Sequence, residues 1–399
     1  MNTQIFIKEH LKNARLYRGL TLSELAEKTG ITKQAISQYE NGQIMPELTK
    51  LIKLADELYF PLEYFSSVNK YTVQTDTTYF RSLLSTTKSD RLAQKIRLEF
   101  IAQIYETLFD YVDFPMSNIP EFNFVDNSTN YDIASPDEVK QIEQIAMEVR
   151  NSWGLGDGPI KDLKYTLEAN GIVVAFIDPK SEEISAFSQK IAVNDYYIYF
   201  VVLANNGRSK DRARFDMAHE LGHIFLHPWS EDLETIDKEE FKKRETQANI
   251  FASAFLLPTD AFSRDIAVYN TNLSYYAKLK AKWNVSIKAM IYRAQQLGAI
   301  SPSQYQYMMR IYSKNGWQKN EPGDAPFEMK NSLLQEAVMI LLNNKVLSPE
   351  GFMWTIKRKG VELYSDDVEE LLNLPKDMLK NKDGKPKLLS IKQGPVRIK

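Results

Sequence analysis

The chain has 399 residues, of which 43% are hydrophobic and 26% charged, with a formal net charge of −2 and no cysteine. That length implies two to four domains. The missing cysteine excludes disulfides, cysteine-based zinc fingers and thiol nucleophiles, and the near-neutral balance excludes a broad polyanion binder. The start, Met1-Asn-Thr-Gln-Ile-Phe6, lacks the shape of a signal peptide. No apolar run reaches membrane-spanning length, so a cytoplasmic protein with no membrane partner is expected. The patterns predict a mostly α fold with a small β-sheet (α+β), divided at about 1–66, 67–134, 135–301 and 302–399.

Near the N-terminus, Thr21-Leu-Ser-Glu24 reads as a capping box that opens a short helix. Gly30 suits its left-handed end, and Thr32 caps the next helix, Lys33 to Tyr39. Two short helices joined by a tight turn form a helix-turn-helix whose second helix enters the major groove. Ala26, Ile31, Ala35 and Ile36 are expected to hold the pair together. Lys33, Gln34, Ser37 and Gln38 face outward as candidate DNA contacts, and Gln34 can pair bidentately with adenine. The segment Ile7 to Phe65 resembles the lambda-repressor or Xre type of DNA-binding domain, with Pro46–Leu58 and Pro61–Phe65 matching its closing helices. The resemblance implies a five-helix domain that binds double-stranded DNA at an operator. One position departs: where this type often carries a phosphate-gripping Gln, the chain has Leu22. The first 65 residues are close to neutral, so nonspecific affinity is weak, and a homodimer would supply the rest. The competing reading is an all-helical protein-interaction module.

Asp76 to Phe80 is polar and threonine-rich and reads as a linker. Arg91 to Val112 repeats apolar residues at helical spacing (Leu92, Ile96, Phe100, Ile104, Leu108, Tyr111), as a connector or dimer helix. Pro115 to Pro120 breaks the chain. Helices follow at Pro136–Trp153 and Ile160–Asn170, then a strand at Gly171–Ile177 and a hairpin, Ala186–Val193 and Tyr196–Leu203, through Asn194-Asp195.

The next helical pattern, Ser209 to His227, contains His219-Glu220-Leu221-Gly222-His223 and three of the chain's four histidines. Residues four apart share a helix face, so His219 and His223 can address one zinc ion, with Glu220 as general base. Ser209 is the expected N-cap and Pro228 the stop. Gly222 costs a helix about 1 kcal/mol against Ala, which makes sense where a second helix packs closely.

A catalytic zinc usually takes three protein ligands. The helix expected at Glu239–Leu257 offers Glu245 as the third, with Asn249 one turn on to orient a ligating imidazole. Ala248, Ala252 and Ala254 permit close helix approach. His227 competes, but it lies roughly 12 Å from His219 along a straight helix, so it reads as a supporting or structural residue. Glu231, Asp232 and Glu234 in the intervening loop read as solvated.

Arg214-Phe215, Ala218-His-Glu-Leu-Gly-His223, Glu245-x-x-Ala-Asn249-x-Phe251-Ala252 and Leu256-Leu-Pro258 together resemble the ImmA/IrrE-type metallopeptidases over about Ser135 to Ser301. The resemblance implies a zincin-like core, His219, His223 and Glu245 as zinc ligands, Glu220 as catalytic base, and a protein substrate such as a repressor, in stress response or mobile-element control. A strand beside the zinc helix is expected to line the substrate cleft by β-augmentation. Tyr196, Tyr197 and Tyr199 are weak candidates for an oxyanion donor.

Tyr275–Trp283 and Ser286–Leu297, ended by Gly298, form a second helix-turn-helix-like pair that reads as packing, with Lys278, Lys280, Lys282 and Lys288 keeping DNA contact open. A break at Lys319–Pro326 precedes helices at Leu333–Leu347 and Pro349–Lys359, and the basic tail Lys376–Lys399 reads as solvated. The reading as a whole is a DNA-binding regulator carrying a zinc endopeptidase. Its rival is a non-proteolytic regulator or antitoxin that keeps the peptidase fold as a sensor.

Overall fold

The computed structural model describes residues 6–67, 73–80, 87–122, 124, 135–177, 186–194, 196–205, 207–229, 236–328 and 331–380. The loop carrying Glu231, Asp232 and Glu234, and the tail from residue 381, lie outside them.

The N-terminal unit comprises α1 (Lys8–Tyr17), α2 (Leu22–Thr29), α3 (Lys33–Glu40), α4 (Leu48–Leu58) and a closing 3-10 turn (Leu62–Phe65). Both halves of the capping box form: Thr21 accepts from Glu24 N, and Glu24 accepts from Thr21 N. Gly30 ends α2 with φ +64, and Thr32 caps α3. Ile31 and Ile36 are buried between the helices, with Ala26 and Ala35 packed against them. Leu22 packs on this core as well, which accounts for an apolar residue at a position where a phosphate contact was absent.

Then come β1 (Val73–Phe80), α5 (Lys88–Leu108), α6 (Pro136–Ser152), α7 (Leu163–Ala169), β2 (Ile172–Ile177), β3 (Ala186–Val193) and β4 (Tyr196–Ala204). The strands form one sheet in the order β1-β3-β4-β2, with β2 parallel to β4 and the other pairs antiparallel. The expected linker at Asp76–Phe80 is therefore corrected: it is part of β1, paired along β3 from Val73↔Val193 to Phe80↔Phe187. Threonine suits a strand once a partner exists. The sheet's edges are therefore β1 and β2.

The sheet divides two cores, and the period of two decides which residue joins which. Val173, Ala175, Phe187, Phe200 and Val202 face one core with the N-terminal unit and α5; Ile172, Val174, Phe176, Val201 and Leu203 face the other. Because both faces of β2 are covered, the whole strand is buried and apolar. Helix α5 is enclosed as well. It packs on α1, β1 and β3, and its Gln94, Arg97, Gln103 and Thr107 are buried along with its apolar face. Its expected stripe from Leu92 to Leu108 is buried or half-buried within this chain, which favours the connector over the dimer helix of the two alternatives.

The second core holds α6 to α13: α8 (Lys210–Leu226), α9 (Lys238–Leu256), α10 (Thr259–Ile266), α11 (Leu273–Trp283), α12 (Ile287–Gln296) and α13 (Pro302–Lys314). Met308 and Tyr312 of α13 are buried in it, and the following chain returns to α8 through Lys210 N→Ala325 O and Phe327 N→Arg208 O. The core thus runs past the boundary expected at residue 301. The last helices, α14 (Leu333–Asn343), α15 (Pro349–Arg358) and α16 (Ser365–Leu371), join the first core. Arg18 of α1 forks onto both carboxylate oxygens of Asp367 on α16 (2.6 and 2.7 Å), and Tyr59 packs on Tyr364. The N-terminal unit is therefore seated on the C-terminal helices, although the two lie at opposite ends of the sequence.

Candidate metal centre and nucleic-acid interface

Helices α8 and α9 pack side by side, and Gly222 sets how closely. A Cβ there would stand 2.8 Å from Ala248 Cα and 3.1 Å from Ala248 O. Only the missing side chain lets the backbones approach this far, and the approach brings Glu245 of α9 over the histidines of α8. Ser209 occupies the N-cap position of α8 but makes no capping hydrogen bond.

His219 Nε2 and His223 Nε2 lie 3.1 Å apart, and the Glu245 carboxylate is 3.3 Å from the first and 3.2 Å from the second. Their ligand atoms all fall within 4.8 Å of one another. His219 and Glu220 are fully buried and His223 nearly so, while Glu245 keeps 16% of its side-chain surface exposed. Burial pushes the Glu245 carboxyl up, but His219 and His223 outweigh it and hold the group well below the usual carboxylate range.

Neighbouring side chains set the tautomers. Asn249 Oδ1 sits 3.1 Å from His219 Nδ1 and can accept its proton, leaving the Nε2 lone pair toward the centre. For His223 the chain of bonds starts at a carboxylate. Gln247 Nε2 donates to Glu138 Oε1 (2.6 Å), so Gln247 Oε1 accepts from His227 Nε2 (2.9 Å). His227 Nδ1 then accepts from His223 Nδ1 (2.9 Å), and the His223 Nε2 lone pair also faces inward. Burial lowers the His227 imidazole well below its ordinary value, as a neutral relay requires. Two imidazole lone pairs and an ionised carboxylate form a donor set that fits a divalent metal.

His227 thus supports a candidate ligand and lies outside the trio itself, as the helix rise requires. Gln247 and Glu138 were missed in the sequence. Each is an ordinary polar residue on a helix, and the bond joining them spans 109 positions. Three buried arginines were also missed as structural elements: Arg150 on the carbonyls of Gly156, Gly158 and Phe255, Arg214 on those of Ile160, Lys161 and Asn284, and Arg293 on Leu257 O and Glu143. Of the tyrosines, Tyr196 bonds Glu106 of α5, Tyr197 lies under Lys190, and Tyr199 packs on Trp229.

On α3, Lys33 and Gln34 are exposed, whereas Ser37 and Gln38 are half-buried. Ser37 receives a long bond from Asn41 (3.4 Å). The far end of the helix is fixed by Arg15 of α1, which forks onto Glu40 (2.6 and 2.8 Å). In the second helix pair, Lys280 is buried against Asp211, Glu321 and Asp324, and Lys282 pairs with Asp265, so both are held by carboxylates.

Residues 11–65 match the helix-turn-helix family, and residues 167–295 match the M78 peptidase family, described as an IrrE N-terminal-like domain. The chain couples a helix-turn-helix domain to an IrrE-like domain. A 66-residue stretch is 38% identical to the HTH-type transcriptional regulator SutR of Escherichia coli (strain K12), covering 16% of this chain and 37% of that protein. The match to SutR therefore spans little more than a third of that relative's length. The IrrE-like match contains α8, α9 and all three converging side chains, whereas α6, which supplies Glu138, precedes it. No helix among the described residues is long and apolar enough to cross a membrane.

Proposed function

We propose that the protein is a cytoplasmic transcriptional regulator that binds operator DNA through α3 and carries a zinc-dependent endopeptidase acting on a protein partner such as a repressor. The observation that carries the catalytic half is the convergence of His219, His223 and Glu245 on one point, with Glu220 on the same turn of α8. A zinc ion held by that trio supplies a Lewis acid for a peptide carbonyl. Glu220 then takes the proton of the attacking water on its carboxylate and returns it to the leaving amide nitrogen. Asn249, His227, Gln247 and Glu138 keep both imidazoles in the ligating tautomer throughout. Lys33, Gln34, Ser37 and Gln38 are the proposed DNA contacts, and a homodimer would add the affinity that one near-neutral domain lacks.

Burial favours a second reading. With His219 and Glu220 fully enclosed, the site is shielded, and a regulator using the domain as a sensor would need no open cleft. Metal content and proteolysis separate the two. Wild type, Glu220→Gln and His223→Ala are purified, bound zinc is measured, and each is incubated with lysate of the source cells while substrate loss is followed by proteomics. The endopeptidase predicts zinc in wild type and Glu220→Gln, none in His223→Ala, and cleavage by wild type alone. Zinc without cleavage under any stress condition establishes the sensor, and absence of zinc from the wild type sinks both readings.

A further inference from the structure

A cavity of about 700 Å³ lies beside the metal centre, between the first half of α8 and helices α12 and α13. The converging trio does not line it; Asn249 does, from behind His219. Its lining is chemically mixed. Arg212 donates to Gln318 O, and the backbone N of Lys288 donates to Glu321, so both residues adjoin the 318–321 segment. One turn along α12 from Lys288 is Tyr292, and Tyr305 of α13 lines the same cavity. These two rings and Met309 supply apolar surface to its wall.

The carboxylates of the wall are already committed. Asp216 pairs with Arg208, while Glu321 accepts from Lys280, Tyr312, Ile287 N and Lys288 N. Arg212 and Lys288 have no carboxylate partner among the described residues. The cavity wall therefore carries two cations without a carboxylate partner among the described residues, together with two tyrosine rings. Its volume exceeds that of a single amino-acid side chain and falls in the range of small-molecule sites.

We propose that this cavity is a nucleotide-binding site, with the phosphate between Arg212 and Lys288 and the base against Tyr292 and Tyr305. Phosphate takes charge-assisted hydrogen bonds from Arg and Lys, and any base has a face that stacks on tyrosine. Asn249 gives the site a route to the metal centre, since a ligand that draws on its amide alters what holds His219 in place.

The test is isothermal titration of the full-length chain with AMP, GMP, CMP and UMP, and with inorganic phosphate in parallel. At least one nucleotide is expected to bind about tenfold tighter than phosphate, the contribution of one stacked base. Arg212→Ala and Lys288→Ala should each weaken nucleotide and phosphate about tenfold, the worth of a charge-assisted bond. Tyr292→Ala should weaken the nucleotide and leave phosphate unchanged. All three side chains are exposed on the cavity rim, so folding is expected to survive, and an unchanged thermal transition confirms it. The proposal is overturned if no nucleotide exceeds phosphate, if binding persists in the Arg212→Ala, Tyr292→Ala double variant, or if an acidic peptide and not a nucleotide competes for the site.

Discussion

The α8–α9 pair and the recognition helix α3 solve opposite problems. At the metal centre the chemistry is enclosed, and each imidazole is fixed by a named partner: Asn249 for His219, and the Glu138–Gln247–His227 relay for His223. On α3 the candidate DNA contacts Lys33 and Gln34 are exposed and Ser37 and Gln38 half-buried, and rigidity comes from the ends, through Thr32 at the cap and Arg15 on Glu40. A ligand-binding centre needs its donors preorganised against one another. A DNA-reading helix needs its backbone placed while its side chains stay available for base edges. Substitutions should therefore damage stability and metal binding together in the first region, and DNA affinity alone in the second.

The largest expected effect is at the α8–α9 contact. Gly222→Ala puts a methyl group against the Ala248 backbone, and backbone cannot swing aside as a side chain can. Destabilisation of about 3 kcal/mol, the upper part of the overpacking range, is expected in chemical denaturation. An unchanged midpoint would mean that the helices are not so closely apposed. Next is the relay: His227→Phe keeps a ring but removes both bonds, and zinc affinity should fall about 10- to 100-fold in competition with a chelator. Equal affinity would detach His227 from the centre.

The exposed helix should respond differently. Gln34→Ala is expected to cost about 1–2 kcal/mol of operator binding while leaving thermal stability and zinc content untouched; a shift in the melting temperature would show that α3 is coupled to the core. The smallest effect is one of pH. His10 is stacked on Tyr64, its Nδ1 donates to Tyr64 O, and burial lowers its pKa from the ordinary 6.5. Above 6.5 neither state of the chain is protonated there and stability is unaffected. As pH falls below 6.5 the unfolded chain takes up the proton first, so folding weakens down to the folded pKa. The loss accumulates as the unfolded chain charges and the buried imidazole does not, and His10→Gln should flatten the slope of stability below pH 6.5.

The parts legible in sequence were those decided within a few residues. Helical spacing placed His219 with His223 and Glu245 with Asn249, and a capping box marked α2. Elsewhere the partner lay too far along the chain. The threonine-rich stretch at β1 looked like a linker because its pairing with β3 lies more than a hundred positions away. Helix α5 read as a connector or a dimer helix because an apolar stripe does not say whether its cover comes from the same chain. The break placed at residue 301 ignored α13, whose Tyr312 closes onto Glu321 at the start of α12.

By itself, then, the sequence determined the helix-turn-helix, the candidate metal ligands and the close approach that Gly222 permits, because each follows from local periodicity or the size of one residue. Only the tertiary structure decided the imidazole tautomers, the sheet that separates two cores, the cavity behind Asn249 and the seating of Arg18 on Asp367. These depend on groups distant in the chain, and a sequence carries no local signal for which polar partner a buried donor will meet.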